Sequence, residues 1–148
     1  MDFFTAMEVS ATGLGAERTR INVASSNLAN AQSTQTVNGV GPYQRRDVVL
    51  AAKAVGSEAP ISGNRAGDAN GSALGVQVSG IKTDTSPPRL EYDPGHPDAN
   101  ADGYVAYPNV NTVEEMVDMI TASRAYQAGI TALDTAVSLS ERALGIGK

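Results

Sequence analysis

Apolar residues recur at every seventh position near both ends of the chain, while the stretch between follows no helical period. At the front, Met7, Leu14, Ile21 and Leu28 form one stripe, with Phe3, Ala11, Ala24 and Ala31 in the adjoining seam positions. At the back, Met116, Ile130, Val137 and Leu144 share a second register, reinforced by Ile120, Tyr126 and Leu133. A repeat near 3.5 residues keeps one narrow face turned toward a partner helix along its whole length. Such a face suits a coiled-coil seam better than the broad buried side of a globular core helix. The pattern predicts an α+β chain with long N- and C-terminal helices paired as a coiled coil and a small β-rich module between them. The same stripes are expected to meet other subunits. Boundaries read as 1–32 for the first helix, 33–110 for the module and 111–148 for the last helix.

The helix ends carry their own signals. Asp2 can cap the first helix, or Thr5-Ala6-Met7-Glu8 can act as a capping box. Gly13 and Gly15 weaken an isolated helix by about 1 kcal/mol each relative to Ala, which predicts that another backbone comes close there. Asn30 is the expected stop, because Asn substitutes for Gly in the left-handed residue that closes a helix. The last helix is preceded by Pro108, capped by Asn111 or Thr112, and opened by the box Thr112-Val113-Glu114-Glu115. It is predicted to end at Leu144, released by Gly145 and Gly147.

Between the helices, residues 43–52 and 75–83 read as strands, the second with Val76 and Val78 on one face. Shorter strands are expected at 89–92 and 104–107, bounded by Pro87-Pro88, Pro94 and Pro108. The segment near 54–74 is rich in Gly, Ala, Ser and Asn and poor in large apolar residues, which predicts a mobile loop.

Composition narrows the function classes. The 148 residues suffice for one ordinary domain, but two long helices leave about half the chain for the module. With two Phe and no Trp its core is thin. The net charge of −5 has both signs spread along the chain, so no basic patch points to nucleic acid or anionic lipid. The chain has no cysteine, which excludes disulfides, thiolate catalysis and Cys-based zinc sites. No apolar run approaches the roughly 18 residues that span a bilayer, so no membrane insertion is expected. Met1-Asp2-Phe3-Phe4 lacks the basic start and apolar stretch of a cleavable signal peptide.

Candidate chemistry is sparse. Asp98-Ala99-Asn100-Ala101-Asp102-Gly103 matches the opening of a calcium loop, but its twelfth position is Asn109 where a bidentate Glu belongs. It reads as an Asp/Asn/Gly turn. His96, the only histidine, sits in the rigid turn Pro94-Gly95-His96-Pro97 with no nucleophile assigned to it by the sequence. No serine lies in a Gly-x-Ser-x-Gly elbow, and Gly145-Ile146-Gly147-Lys148 has no helix after it to bind phosphate. No catalytic residue, metal or cofactor is expected.

Ser25-Ser26-Asn27-Leu28-Ala29-Asn30, followed by Gly41-Pro42-Tyr43-Gln44-Arg45-Arg46, resembles the Asn-Leu-Ala-Asn signature of the bacterial flagellar axial proteins, the rod, hook and hook-associated subunits. The run from His96 to Val105 and the run Pro108-Asn109-Val110-Asn111-Thr112-Val113-Glu114-Glu115-Met116-Val117-Asp118-Met119-Ile120 resemble the proximal rod members of that family. Ser123-Arg124-Ala125-Tyr126-Gln127-Ala128 is similar to the wider family, which commonly has Asn next where this chain has Gly129. A glycine there is expected to loosen or bend the helix.

The resemblance implies a structural subunit of the basal-body rod that transmits torque. Its terminal helices would build the tube wall, with the β module outside. It implies partners among copies of itself, neighbouring rod proteins and, during secretion, the flagellar type III export apparatus, with a final place in the periplasmic rod. The residues expected at the assembly interface are Met7, Leu14, Ile21, Asn27, Leu28, Asn30, Met116, Ile120, Tyr126, Ile130, Leu133, Val137 and Leu144. A soluble helical-hairpin adaptor that docks partners through its seam is the alternative.

Overall fold

The computed structural model describes residues 3–36, 41–55 and 73–146. Helix α1 (Phe3–Ala29) leads to β1 (Arg46–Val55), β2 (Ala73–Thr83), β3 (Arg89–Tyr92), β4 (Tyr104–Tyr107) and helix α2 (Thr112–Ile146). This is the expected α+β order, two long helices enclosing a β region.

The helix ends follow local chemistry, with corrections. Because α1 already begins at Phe3, Thr5 and Glu8 lie inside it and do not cap it; Asp2 lies outside the described residues. At the other end the Asn30 side-chain amide donates to the Ser26 carbonyl at 2.8 Å, closing the last turn where the sequence placed the stop. For α2 the cap is Asn111, not Thr112: Asn111 Oδ1 accepts the Val113 amide at 3.1 Å and its carbonyl accepts the Glu115 amide at 3.1 Å. The helix runs on through Gly145 to Ile146 and passes Gly129 without a break.

The β region is two antiparallel hairpins. β1 pairs with β2 from Arg46 opposite Thr83 to Val55 opposite Ala73, with Ser79 skipped where Val49 faces Gly80 and Leu50 faces Val78. The first strand starts three residues later than expected and reaches Val55, because Tyr43 turns toward α1 instead of joining the ladder. Of the segment 54–74 expected as a mobile loop, Ala54, Val55, Ala73 and Leu74 are paired strand and 56–72 lie outside the described residues. β3 pairs with β4 from Arg89 opposite Tyr107 to Tyr92 opposite Tyr104. Their connection holds the calcium-like segment as an Asx-type turn: Asn100 Oδ1 accepts the amides of Asp102 at 3.0 Å and Tyr104 at 2.8 Å, and Gly103 supplies φ of +80°.

α1 is packed between α2 and the β1–β2 hairpin. Thr12 sets its distance from the hairpin by accepting the Val76 amide at 3.1 Å while its hydroxyl donates to the Val9 carbonyl at 2.6 Å. Gly75 makes that approach sterically allowed, since a Cβ there would sit 2.5 Å from Thr12 Oγ1 and 2.8 Å from Val55 Cγ2. On the α2 side Leu14 reaches Gly129, where a Cβ would lie 2.8 Å from Leu14 Cδ2. Gly129 therefore serves as a recess for Leu14, a role not anticipated from the sequence. Gly13 and Gly15 do not receive the expected close neighbour within the chain, for a Cβ at either meets nothing within 4 Å.

The buried apolar residues are small: Ala16, Ala24, Ala31, Val55, Ala73, Val105 and Ala122. They let the elements come close but bury little area per residue, and apolar stabilisation scales with area. The least exposed positions of α2 are Glu115, Met119, Ala122, Tyr126, Gly129, Leu133, Ala136 and Ser140, with Ser123 beside them. They alternate four and three apart and form a heptad seam one position off the stripe read from the sequence. Tyr126 and Leu133 belong to it; Met116, Ile120, Ile130, Val137 and Leu144 do not and remain exposed. Ala122, Gly129 and Ala136 are interspersed with Met119, Tyr126 and Leu133 on the inward face, where small residues let the helices pack closer.

Candidate assembly interface

The polar centre of the molecule is built on Asn27. Lying near the end of α1 and only 1% exposed, it spends its whole amide capacity on the other two layers. Its Nδ2 donates to the Arg46 carbonyl at 2.8 Å and to Glu115 Oε2 at 3.0 Å. Its Oδ1 accepts from the Arg46 amide at 3.0 Å and from the Tyr43 hydroxyl at 2.8 Å. By taking both backbone groups of Arg46, Asn27 acts as an extra strand partner for the first residue of β1. Only a side chain with two donors and two acceptor lone pairs meets all four demands.

Glu115 answers from the first turn of α2 at 2% exposure. Its Oε1 lies 2.6 Å from Arg45 Nε, and Arg45 also reaches Asp118 at 4.0 Å. Burial works against the Arg45 charge, yet the hydrogen bond and charge of Glu115, with Asp47 and Asp118, outweigh it and raise its pKa. The positive end of α2 adds further support for the Glu115 carboxylate. No buried side-chain nitrogen or oxygen among the described residues lacks a hydrogen-bond partner. Breaking such a buried pair by removing one member costs about 3–5 kcal/mol, because the other is left charged and dry.

A second polar link ties the segment that follows α1 to the β3–β4 connection. Thr34 donates to Asp98 Oδ2 at 2.7 Å, and Gln35 donates to Asp98 Oδ1. The Thr34 hydrogen bond first, then that of Gln35 and the nearby His96, hold the Asp98 carboxyl below its ordinary pKa. His96 Nδ1 accepts the Asp98 amide at 3.1 Å, and its ring stands edge-on to Tyr107 at 6.5 Å. Two of the three candidate ligands of the calcium-like segment are thus engaged within the fold, Asp98 with Thr34 and Gln35 and Asn100 in its own turn. Among the described residues no three His, Cys, Asp or Glu side chains gather as a metal-binding group.

The residues expected at the interface divide into three sets. Asn27 is buried and works inside the chain, a correction that follows from its four satisfied bonds, and Asn30 closes α1. Met7, Leu14, Ile21, Leu28, Tyr126 and Leu133 are half-buried along the α1 contacts. Met116, Ile120, Ile130, Val137 and Leu144 are turned outward, at 37% to 77% exposure, together with Val113, Val117 and Leu139. Tyr43, Arg45 and Glu115 were missed. Glu115 reads in sequence as a capping-box acid, and only the approach of β1 shows that it has another partner.

The model of the family described as Flagella basal body rod protein matches residues 7–35, and that described as Flagellar basal body rod FlgEFG protein C-terminal matches 101–146. Together the matches cover most of α1 and the segment after it, β4 and all of α2, which marks the class as flagellar basal-body rod proteins. Over the full length, the chain is 43% identical to the flagellar basal-body rod protein FlgC of Borreliella burgdorferi, covering 99% of this chain and 98% of the relative. It is 42% identical to that of Bacillus subtilis and 39% identical to that of Salmonella typhimurium, each with complete coverage of both chains. The chain belongs to the FlgC family of flagellar basal-body rod proteins, and it is a structural subunit of the rod.

Proposed function

We propose that the subunit builds the proximal part of the rod through its terminal helices and transmits torque by tight lateral packing. α1 and α2 form the tube wall and the hairpins lie outside them. Its neighbours are copies of itself and adjoining rod proteins in the periplasmic space. It arrives unfolded through the flagellar type III apparatus, and it carries out no catalysis. The observation that supports this most is the outward face of α2, where Val113, Met116, Val117 and Ile120 are 62%, 42%, 56% and 50% exposed. Leaving these side chains in water forfeits about 25 cal/mol per Å2 of apolar surface, which a neighbouring subunit would recover. Closely packed interiors resist compression, and a wall made of them is stiff.

The test replaces Ile130 and Val137 singly with Asp. Each should abolish swimming and rod assembly while the purified subunit keeps its helical circular dichroism. Normal motility in both variants would overturn the assembly reading. A wild-type chain that stays an inert monomer when mixed with other rod proteins would favour the adaptor instead.

A further inference from the structure

The two helices present different outward surfaces, and a slide of ten residues between them brings opposite charges together. On α1 the exposed positions are Phe4, Glu8, Ala11, Gly15, Arg18, Asn22, Ser25 and Ala29, a single narrow stripe along one side. Glu8 and Arg18 are its only charges, ten residues apart. On α2 the exposed Met116, Val117 and Ile120 lie between Glu114 and Arg124, also exposed and also ten apart, with Val113 just before them and Asp118 turned toward Arg45. Glu8, Arg18, Glu114 and Arg124 make no ion pair among the described residues.

Within the chain α1 and α2 run antiparallel, with Leu14 against Gly129 and Asn27 against Glu115. If copies are related by rotation about, and translation along, an axis parallel to the helices, α2 of one copy also runs antiparallel to α1 of the next. Carrying the internal register across that boundary would put Glu8 opposite Asp134 and Arg18 opposite Arg124. Both contacts would then be like-charged, and like charges across an interface exclude a register. A slide of ten residues, about 15 Å at 1.5 Å per residue, puts Glu8 opposite Arg124 and Arg18 opposite Glu114. The same slide lays Val117 over Gly15, where a Cβ would meet nothing within 4 Å.

We propose that a second copy of this chain docks the Val113–Ile120 face of its α2 on the Ala11–Gly15 segment of α1, displaced by about 15 Å and keyed by Glu8–Arg124 and Arg18–Glu114. The contact is heterologous: one face meets a different face, so it propagates from copy to copy. The displacement makes each copy step along the axis. The charges select the register, and the apolar side chains supply the contact. This inference rests on the assembly reading above and adds the partner and its alignment.

Charge reversal tests it in cells whose only copy is the variant. Glu8→Arg and Arg124→Glu should each abolish rod assembly and swimming while the purified subunits keep wild-type circular dichroism. The double variant, Glu8→Arg with Arg124→Glu, should restore both. Failure of the double variant to rescue overturns the register. Rescue of Glu8→Arg by Arg142→Glu instead would show a slide in the opposite direction and overturn it equally. Wild-type swimming with both single variants, alongside loss in Ile130→Asp, would refute the register and leave the assembly reading standing.

Discussion

α1 and α2 carry the same seven-residue repeat and meet opposite fates. α1 is enclosed by α2 on one side and by β1 and β2 on another, and of its large apolar side chains only Phe4, at 75%, is highly exposed. α2 packs inward along one seam of mixed large and small residues and leaves Val113, Met116, Val117, Ile120, Ile130, Val137, Leu139 and Leu144 facing out. A heptad repeat defines a face but not its partner. α1 spends its seam inside the subunit, whereas α2 mixes Ala122, Gly129, Ala136 and Ser140 with Met119, Tyr126 and Leu133 on its inward face and leaves other large apolar residues outward. Within the subunit α1 is thus the more enclosed helix, and α2 the one that leaves a large apolar face in solvent.

The sharpest way to break that contrast is at Asn27. Asn27→Asp removes both donors and places a second carboxylate beside Glu115, so the subunit should lose about 3–5 kcal/mol of stability. Urea denaturation followed by circular dichroism would measure it. A loss below about 1 kcal/mol would mean that α1 is not the element organising the fold.

A smaller effect is expected where α1 meets the hairpin. Gly75→Ala drives a methyl into Thr12 and Val55, and overpacking of this kind costs about 1–3 kcal/mol. Gly75→Ala combined with Thr12→Ala, which removes the Oγ1 that the new methyl would strike, should recover part of the loss in the same assay. The recovery is incomplete because the Val76 amide loses its acceptor and Val55 Cγ2 stays close.

On α2 the contrast predicts near indifference of the isolated subunit. Ile120→Asp changes a half-exposed side chain and should alter subunit stability by no more than about 0.5 kcal/mol, yet it should prevent rod assembly. A large stability loss from Ile120→Asp would show that α2 is enclosed after all.

The smallest effect belongs to Asp98. Its pKa is lowered in the fold, so the unfolded chain binds the proton more readily. The contribution is therefore present above the ordinary carboxylate range near pH 4 and lost as pH falls through the lowered value. Because the link is solvent-screened, its share of stability is slight. Thr34→Ala removes the foremost cause, and the Asp98 titration followed by NMR should move back up toward the ordinary value.

By itself the sequence determined the elements: the two helices, the Asn30 stop, a cap at Asn111 or Thr112 before α2 and all four strands to within a few residues. These depend on local propensities and on contacts between residues close along the chain, which periodicity and capping chemistry report directly. The flagellar signature was legible too, but not the work its residues do. Which face of α2 turns inward was decided by tertiary packing, because closeness between helices depends on the partner's shape, and Leu14 needs the space that Gly129 leaves open. The bonds joining Asn27, Arg46 and Glu115 were likewise invisible, since they span residues up to 88 apart in the chain. A buried amide and a capping-box acid look alike in sequence whether or not a strand arrives between them. Only the meeting of α1, β1 and α2 makes that strand arrive.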